Sequence, residues 1–268
     1  MIGLRWHSVK GCSAADWLSD APFAMAGPHH DRRRSWRSRV WLVLSLLLAP
    51  TAAVADSQAP STDLTTELNR AAAPLRQAWA ADPTSAALPF PPVRLLPAGD
   101  SVDRTCNPGA SARRPAPTAA WCAGSGQVLV DRDLLPGAST DLSGPAFTML
   151  LTYWLATALA ERLLPAVPDI ELPRIVNTLQ ANCYAGVLIG ASPARPSSDA
   201  LPLLNIGRAA YGDRFRAAVG SASQRAYALL TGLGARGTAS CSSSDMTALA
   251  QGRVPNPALL RRIEQLPP

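Results

Sequence analysis

The clearest pattern in the chain is an uncharged stretch from Ala146 to Ala160, bounded by Pro145 on one side and Glu161-Arg162 on the other. Fifteen residues without a charge predict a helix buried on all its faces, and they fall short of the ~20 apolar residues that span a bilayer. Ser143-Gly144-Pro145 supplies its start, a capping hydroxyl followed by proline in the first turn. A second helix is predicted from Leu172 to about Ile189, because Leu172, Ile175, Val176, Leu179, Cys183 and Val187 recur at three-and-four spacing. Upstream, Leu64 to Trp79 has helical spacing that Pro74 is expected to break, and a proline-rich connector runs from Pro83 to Pro97. Gln127 to Asp131 reads as a short strand. Ala191 to Pro202 is a proline- and serine-rich break, followed by helices near Leu203–Tyr211 and Ser223–Leu230, and Arg253 to Pro268 is a short basic helix or a frayed tail. The expected fold class is mostly α with a small β element (α+β), in one domain without internal repeats.

The first part of the chain has a different character. Arg32, Arg33, Arg34, Arg37 and Arg39 precede an apolar run from Val40 to Leu48, a breaker at Pro50 and the small-x-small site Ala53-Val54-Ala55. That order describes a signal peptide cleaved after Ala55, and it implies a secreted or cell-envelope protein. The basic segment is long when counted from Met1 and ordinary when counted from Met25, so translation could start at either. Arg33-Arg34-Ser35-Trp36 faintly suggests a twin-arginine signal, and an uncleaved leader would act as an N-terminal membrane anchor. The expected organisation is residues 1–55 as leader, 56–92 as N-terminal helix and connector, 93–250 as the main domain and 251–268 as a C-terminal tail.

Losing the leader alters the chemistry. All three histidines (His7, His29, His30) and the only lysine, Lys10, lie within it. The remainder has no imidazole metal site, no Ser–His or Cys–His pair and no Schiff-base lysine. The precursor's net charge of +6 falls to +2, which gives no reason to expect nucleic-acid binding. Cys106, Cys122, Cys183 and Cys241 remain, an even number that fits two disulfides with three possible connectivities. Cys106 and Cys122 bracket a Pro/Gly/Ala loop and make a natural local staple, which leaves Cys183 for Cys241.

Three stretches together resemble the bacterial putative neutral zinc metallopeptidases: Trp121-Cys122 with Gln127-Val128-Leu129-Val130-Asp131, then Leu179-Gln180-Ala181-Asn182-Cys183-Tyr184-Ala185-Gly186, then Gly220-Ser221-Ala222-Ser223-Gln224-Arg225 ahead of Cys241. The resemblance covers roughly Val93 to Cys241 and implies a zincin-like scaffold. Between the first and second stretches that family carries the zinc-binding HExxH helix. Counted from Phe147, its positions fall on Leu155, Ala156, Thr157, Ala158 and Leu159. The family's further acidic ligand falls on Thr178 and a nearby aspartate on Asn182. The chain therefore resembles a degenerate member without ligands or general base, with no catalytic residue, metal or cofactor expected and a dry core where the metal would lie.

Other chemistry is thinly supported. Asp131, Asp133, Glu161, Glu171 and Asp213 are expected at a strand end, helix ends and a turn, and no Asp-Thr/Ser-Gly motif is present. Cys183 has no base to activate it. Gly220 to Ser223 reads as a short turn rather than an anion loop, and Trp121 and Tyr184 as core aromatics rather than a ligand groove. The function expected is a non-catalytic binding or structural protein that holds an envelope protein or peptide. The alternative is a zinc-independent envelope glycan hydrolase using two carboxylates.

Overall fold

The computed structural model describes residues 63–106, 118–135, 144–164, 173–193, 200–211, 215–235 and 241–266. The leader, residues 107–117 of the Cys106–Cys122 loop, Ser143, Glu171, Leu172 and Asp213 lie outside them. Ten helices and three strands are described: α1 (Leu64–Ala81), α2 (Pro83–Ala86), β1 (Val93–Leu95), α3 (Val102–Cys106), β2 (Ala119–Cys122), β3 (Gln127–Val130), α4 (Gly144–Leu163), α5 (Arg174–Ala191), α6 (Leu201–Ala209), α7 (Arg216–Val219), α8 (Ala222–Leu233), α9 (Ser243–Ala250) and α10 (Pro257–Glu264). The fold is mostly helical with a small sheet. Among the described residues no helix is long and apolar enough to cross a membrane.

Pro74 does not break α1, which runs through it from Leu64 to Ala81. The lost amide bond would have gone to Arg70, an exposed position where water can take the free carbonyl. Burial of Leu68, Ala71, Ala72, Leu75 and Trp79 offsets the rest of the cost. The connector from Pro83 to Pro97 is also less irregular than expected. Asp82 caps α2 through the amides of Thr84 and Ser85, and Val93–Leu95 forms β1.

The sheet has the order β1-β3-β2, with β1 parallel and β2 antiparallel to β3. Alternation divides its faces. Val128 and Val130 join the main helical core, whereas Leu129 packs with Leu96, Val102, Ala120 and Cys122 in a small second core beneath α3. The Cys106–Cys122 disulfide ties α3 to β2 across a Cα–Cα distance of 5.1 Å.

Helix α4 is buried all round from Leu151 to Ala160, as its uncharged sequence predicts. Its neighbour α5 crosses α8 at very close range. A Cβ at Gly186 would collide with the carbonyl oxygen of Leu229 and lie 2.8 Å from the Leu233 amide; one at Gly232 would collide with the Cys183 carbonyl and lie 2.9 Å from the Val187 amide. Two glycines facing opposite backbones thus set the helix separation. The Cys183–Cys241 disulfide, with a Cα–Cα distance of 5.7 Å, anchors the segment after α8 to the same crossing. Gln180 Nε2 donates to the Cys241 carbonyl at 2.9 Å.

Gly220 to Ser223 is a helix-to-helix turn. Gly220 has φ +81° and ends α7. Ser221 and Gln224 then form a capping box at the start of α8, the Ser221 hydroxyl accepting from the Gln224 amide and the Gln224 side chain accepting from the Ser221 amide.

Two expectations follow for stability. Gly232→Ala should lower the unfolding free energy by about 2–3 kcal/mol in denaturant titration, because backbone atoms cannot yield as a flexible side chain would. Cys183→Ser and Cys241→Ser should each cost about 4 kcal/mol, given the loop their disulfide closes. The double variant should be no less stable than either single one, and additive losses would contradict the shared bond.

Candidate functional site

Where β2, α3, α4, α5 and Tyr211 meet, the structure has a cavity of about 280 Å³. Its walls include Asp103, Trp121, Thr157, Glu161, Arg174, Asn177, Thr178, Asn182 and Tyr211. Helix α4 contributes Thr157 and Glu161, four residues apart on one face; α5 contributes its first turns.

This differs from the sequence reading in a specific way. Leu155, Ala156 and Leu159 are buried in the helical core and do not line the cavity. Thr178 and Asn182 do line it. The α4 positions that share a wall with them are Thr157 and Glu161, two residues further along than the count from Phe147 placed them. A purely dry core is therefore not what lies here. The metal implied by the family resemblance needs paired imidazoles with a carboxylate. Among the described residues the walls offer hydroxyls, amides and two carboxyl groups on separate elements, a donor set that does not fit it.

Glu161 is the residue sequence reasoning misplaced. It was expected on the exposed end of a helix, but it is partly buried and reaches the sheet. The Trp121 amide, on the free edge of strand β2, donates to Glu161 Oε2 at 3.2 Å. Oε1 has no hydrogen-bond partner among the described residues. Burial pushes the Glu161 carboxyl up to about 7, against the opposing pull of the Trp121 amide and the Arg174 charge. At neutral pH it is thus poised between acid and carboxylate. The available signal was the change from fifteen uncharged residues to Glu161 at the end of an otherwise apolar helix, but nothing local tells whether such a residue faces water or a cleft.

The aromatic walls are held by cations of the chain itself. The Arg162 guanidinium lies 4.8 Å from the centre of the Trp121 ring and 5.8 Å from that of Trp79. Arg225, only 2% exposed, donates to the carbonyls of Gly207, Arg208, Tyr211 and Gly220, and its guanidinium stands 5.3 Å from the Tyr211 ring. Trp154 meets Tyr211 edge-on at 5.8 Å. Tyr211 is thereby fixed in the wall, its hydroxyl held neutral by burial and by the neighbouring Glu161 charge. Trp121 packs against the main core and also lines the cavity. Tyr184 is not in the wall; its hydroxyl accepts from Gln180 Nε2 at 3.3 Å.

Several cavity groups are already committed. Tyr153 donates to Asn182 Oδ1 at 2.8 Å, Asn182 Nδ2 donates to the Thr178 carbonyl at 2.8 Å, and the Thr157 and Thr178 hydroxyls donate to backbone carbonyls. Asn182 is therefore a positioning residue between α4 and α5. The other sequence candidates are structural: Asp131 Oδ1 accepts the amides of Asp133 and Leu134, and Asp133 Oδ2 accepts that of Gly99 at 2.7 Å. A larger cavity of about 450 Å³ between α1, α4, α5 and α6 is mainly apolar, and Arg70, the charged residue among its described walls, is paired with Glu67.

A pH dependence follows from the raised Glu161 value. Between about pH 4.5 and 7 the folded protein holds a proton there that the unfolded chain releases. The stability of the wild type relative to Glu161→Gln should therefore fall as pH rises through that window. Thermal unfolding of both proteins across the range would read the difference; a constant gap would mean that the carboxyl titrates normally.

Set against models of known protein families, curated protein sequences and solved structures, the chain has no match.

Proposed function

We propose that the chain is an exported, non-catalytic binding protein of the cell envelope, a degenerate relative of the neutral zinc metallopeptidases that holds a peptide or protein partner at the α4–α5 cavity. The observation that carries this reading is the set of uncommitted groups in one wall. Glu161 Oε1, the Arg174 guanidinium, the Asn177 amide and the Tyr211 hydroxyl have no hydrogen-bond or ion-pair partners among the described residues. Uncommitted polar groups that converge on one concave wall are the usual means by which a binding site fixes a polar ligand. Two disulfides fit an oxidising compartment, which supports export.

A second reading has one observation in its favour. Asp103 and Glu161 line the same cavity, and a carboxyl near 7 is suited to general acid–base work. Such a pair would serve glycoside hydrolysis, with one group protonating the leaving oxygen.

The purified exported protein separates these readings. Metal analysis should find no stoichiometric zinc, the peptide panel should show binding, and neither the peptide nor the envelope-glycan panel should show turnover. Asn177→Ala should weaken that binding about tenfold, the worth of one or two hydrogen bonds to a polar ligand. Zinc-dependent peptide cleavage would overturn the proposal. Glycan turnover lost in both Asp103→Asn and Glu161→Gln would establish the second reading instead.

A further inference from the structure

The charges in the wall of the cavity do not cancel. Glu161 and Arg174 both line it, and each acts on the other at a distance, yet no ion pair joins them. Among the described residues, Arg162 and Arg225 are committed elsewhere: Arg162 lies against Trp79 and Trp121, and Arg225 is held by backbone carbonyls. Asp103 adds a second carboxyl group to the wall. A ligand with only a negative charge would meet Arg174 favourably and the two carboxyl groups unfavourably. A ligand with only a positive charge would leave Arg174 unanswered.

The start of α5 adds direction. Arg174, Asn177 and Thr178 come from its first two turns, and Pro173 at the N-cap supplies no side-chain cap. An eighteen-residue helix with its uncapped amino end at the wall favours a carboxylate beside Arg174. Glu161 approaches from the C-terminal end of α4, with one oxygen fixed by the Trp121 amide and the other uncommitted. The volume, about 280 Å³, lies just below the roughly 300 Å³ at which drug-sized ligand pockets begin. It suits one or two amino-acid units, with Trp121 and Tyr211 as flat walls.

We infer that this cavity binds a small zwitterion of the α-amino-acid class, free or as a dipeptide, with the ligand's ammonium on Glu161 and its carboxylate on Arg174 and the first turn of α5. The inference rests on the proposal that the cavity is the ligand site, and it specifies what that site recognises. Separation of the two charges is the selective feature: each end of the ligand answers a group that the protein leaves unpaired. The Asn177 amide and the Tyr211 hydroxyl complete the polar contacts.

Calorimetric titration of the full exported protein tests it, at a pH of about 8 where the raised Glu161 group is ionised. The probes are alanine, alanyl-alanine, their N-acetyl derivatives and their C-terminal amides. The free zwitterions should bind, and blocking either end should weaken binding about tenfold or more, the worth of a charge-assisted hydrogen bond. Glu161→Gln should remove the penalty for acetylation, and Arg174→Gln the penalty for amidation. Arg174 is exposed, so its variant tests the inference without disturbing the fold. Blocked forms that bind as tightly as free ones would overturn the zwitterion inference while leaving a peptide site intact. Absence of binding by every probe, blocked or free, would overturn the inference. If longer peptides also failed to bind, the proposed function would fall with it.

Discussion

The contact on which the rest of the molecule depends is the crossing of α5 and α8 at Gly186 and Gly232. Each glycine faces the backbone of the other helix, with no room for a single carbon atom. Such proximity gives dense packing between the two helices, and it fixes everything attached to them. Cys183, on the same turn of α5, carries the disulfide to Cys241. Arg225, near the start of α8, gathers the carbonyl groups of Gly207, Arg208, Tyr211 and Gly220 around one buried guanidinium. A charge so deeply buried is tolerated because its donors find acceptors. The end of α6, the end of α7 and Tyr211 are thereby tied to one side chain.

The cavity is a consequence of that framework and of the composition of α4. Leu155, Ala156, Ala158, Leu159 and Ala160 are all buried, so the helix is apolar on nearly every side. Its polar positions at Thr157 and Glu161 then face the α5 turn that bears Thr178 and Asn182. Glu161 also occupies the open edge of the sheet by accepting the Trp121 amide, which protects an edge strand that would otherwise present an unpaired donor. One side chain thus serves the fold and brings an uncommitted oxygen to the cavity. Its raised affinity for a proton is the cost of that placement, a pattern common at functional sites.

The stretches behind the resemblance to metallopeptidases have clear mechanical roles in this chain. The segment Leu179 to Gly186 supplies the close-packing glycine, the disulfide cysteine and the Asn182 link to Tyr153. The segment Gly220 to Arg225 supplies the left-handed turn, the capping box and the carbonyl clamp. Neither needs a metal to account for its residues. The HExxH positions counted from Phe147 carry core leucines instead.

Composition and spacing by themselves determined the mostly helical class and the bounds of α4 and α5 to within two or three residues, and they favoured the cysteine pairing that the structure shows. These are local properties: an uncharged run ended by charges, a three-and-four apolar repeat, and a short loop between two cysteines. Strands β1 and β2, the short helices α2, α3 and α7, and α9 were not legible, because three to eight residues carry too little periodicity and strands depend on partners distant in sequence. Only the tertiary structure decided which way α4 turns its polar positions. A helix apolar all round has no polar face to set its rotation, so Glu161 could be assigned to water or to a cleft until the edge of the sheet and the start of α5 were in place around it.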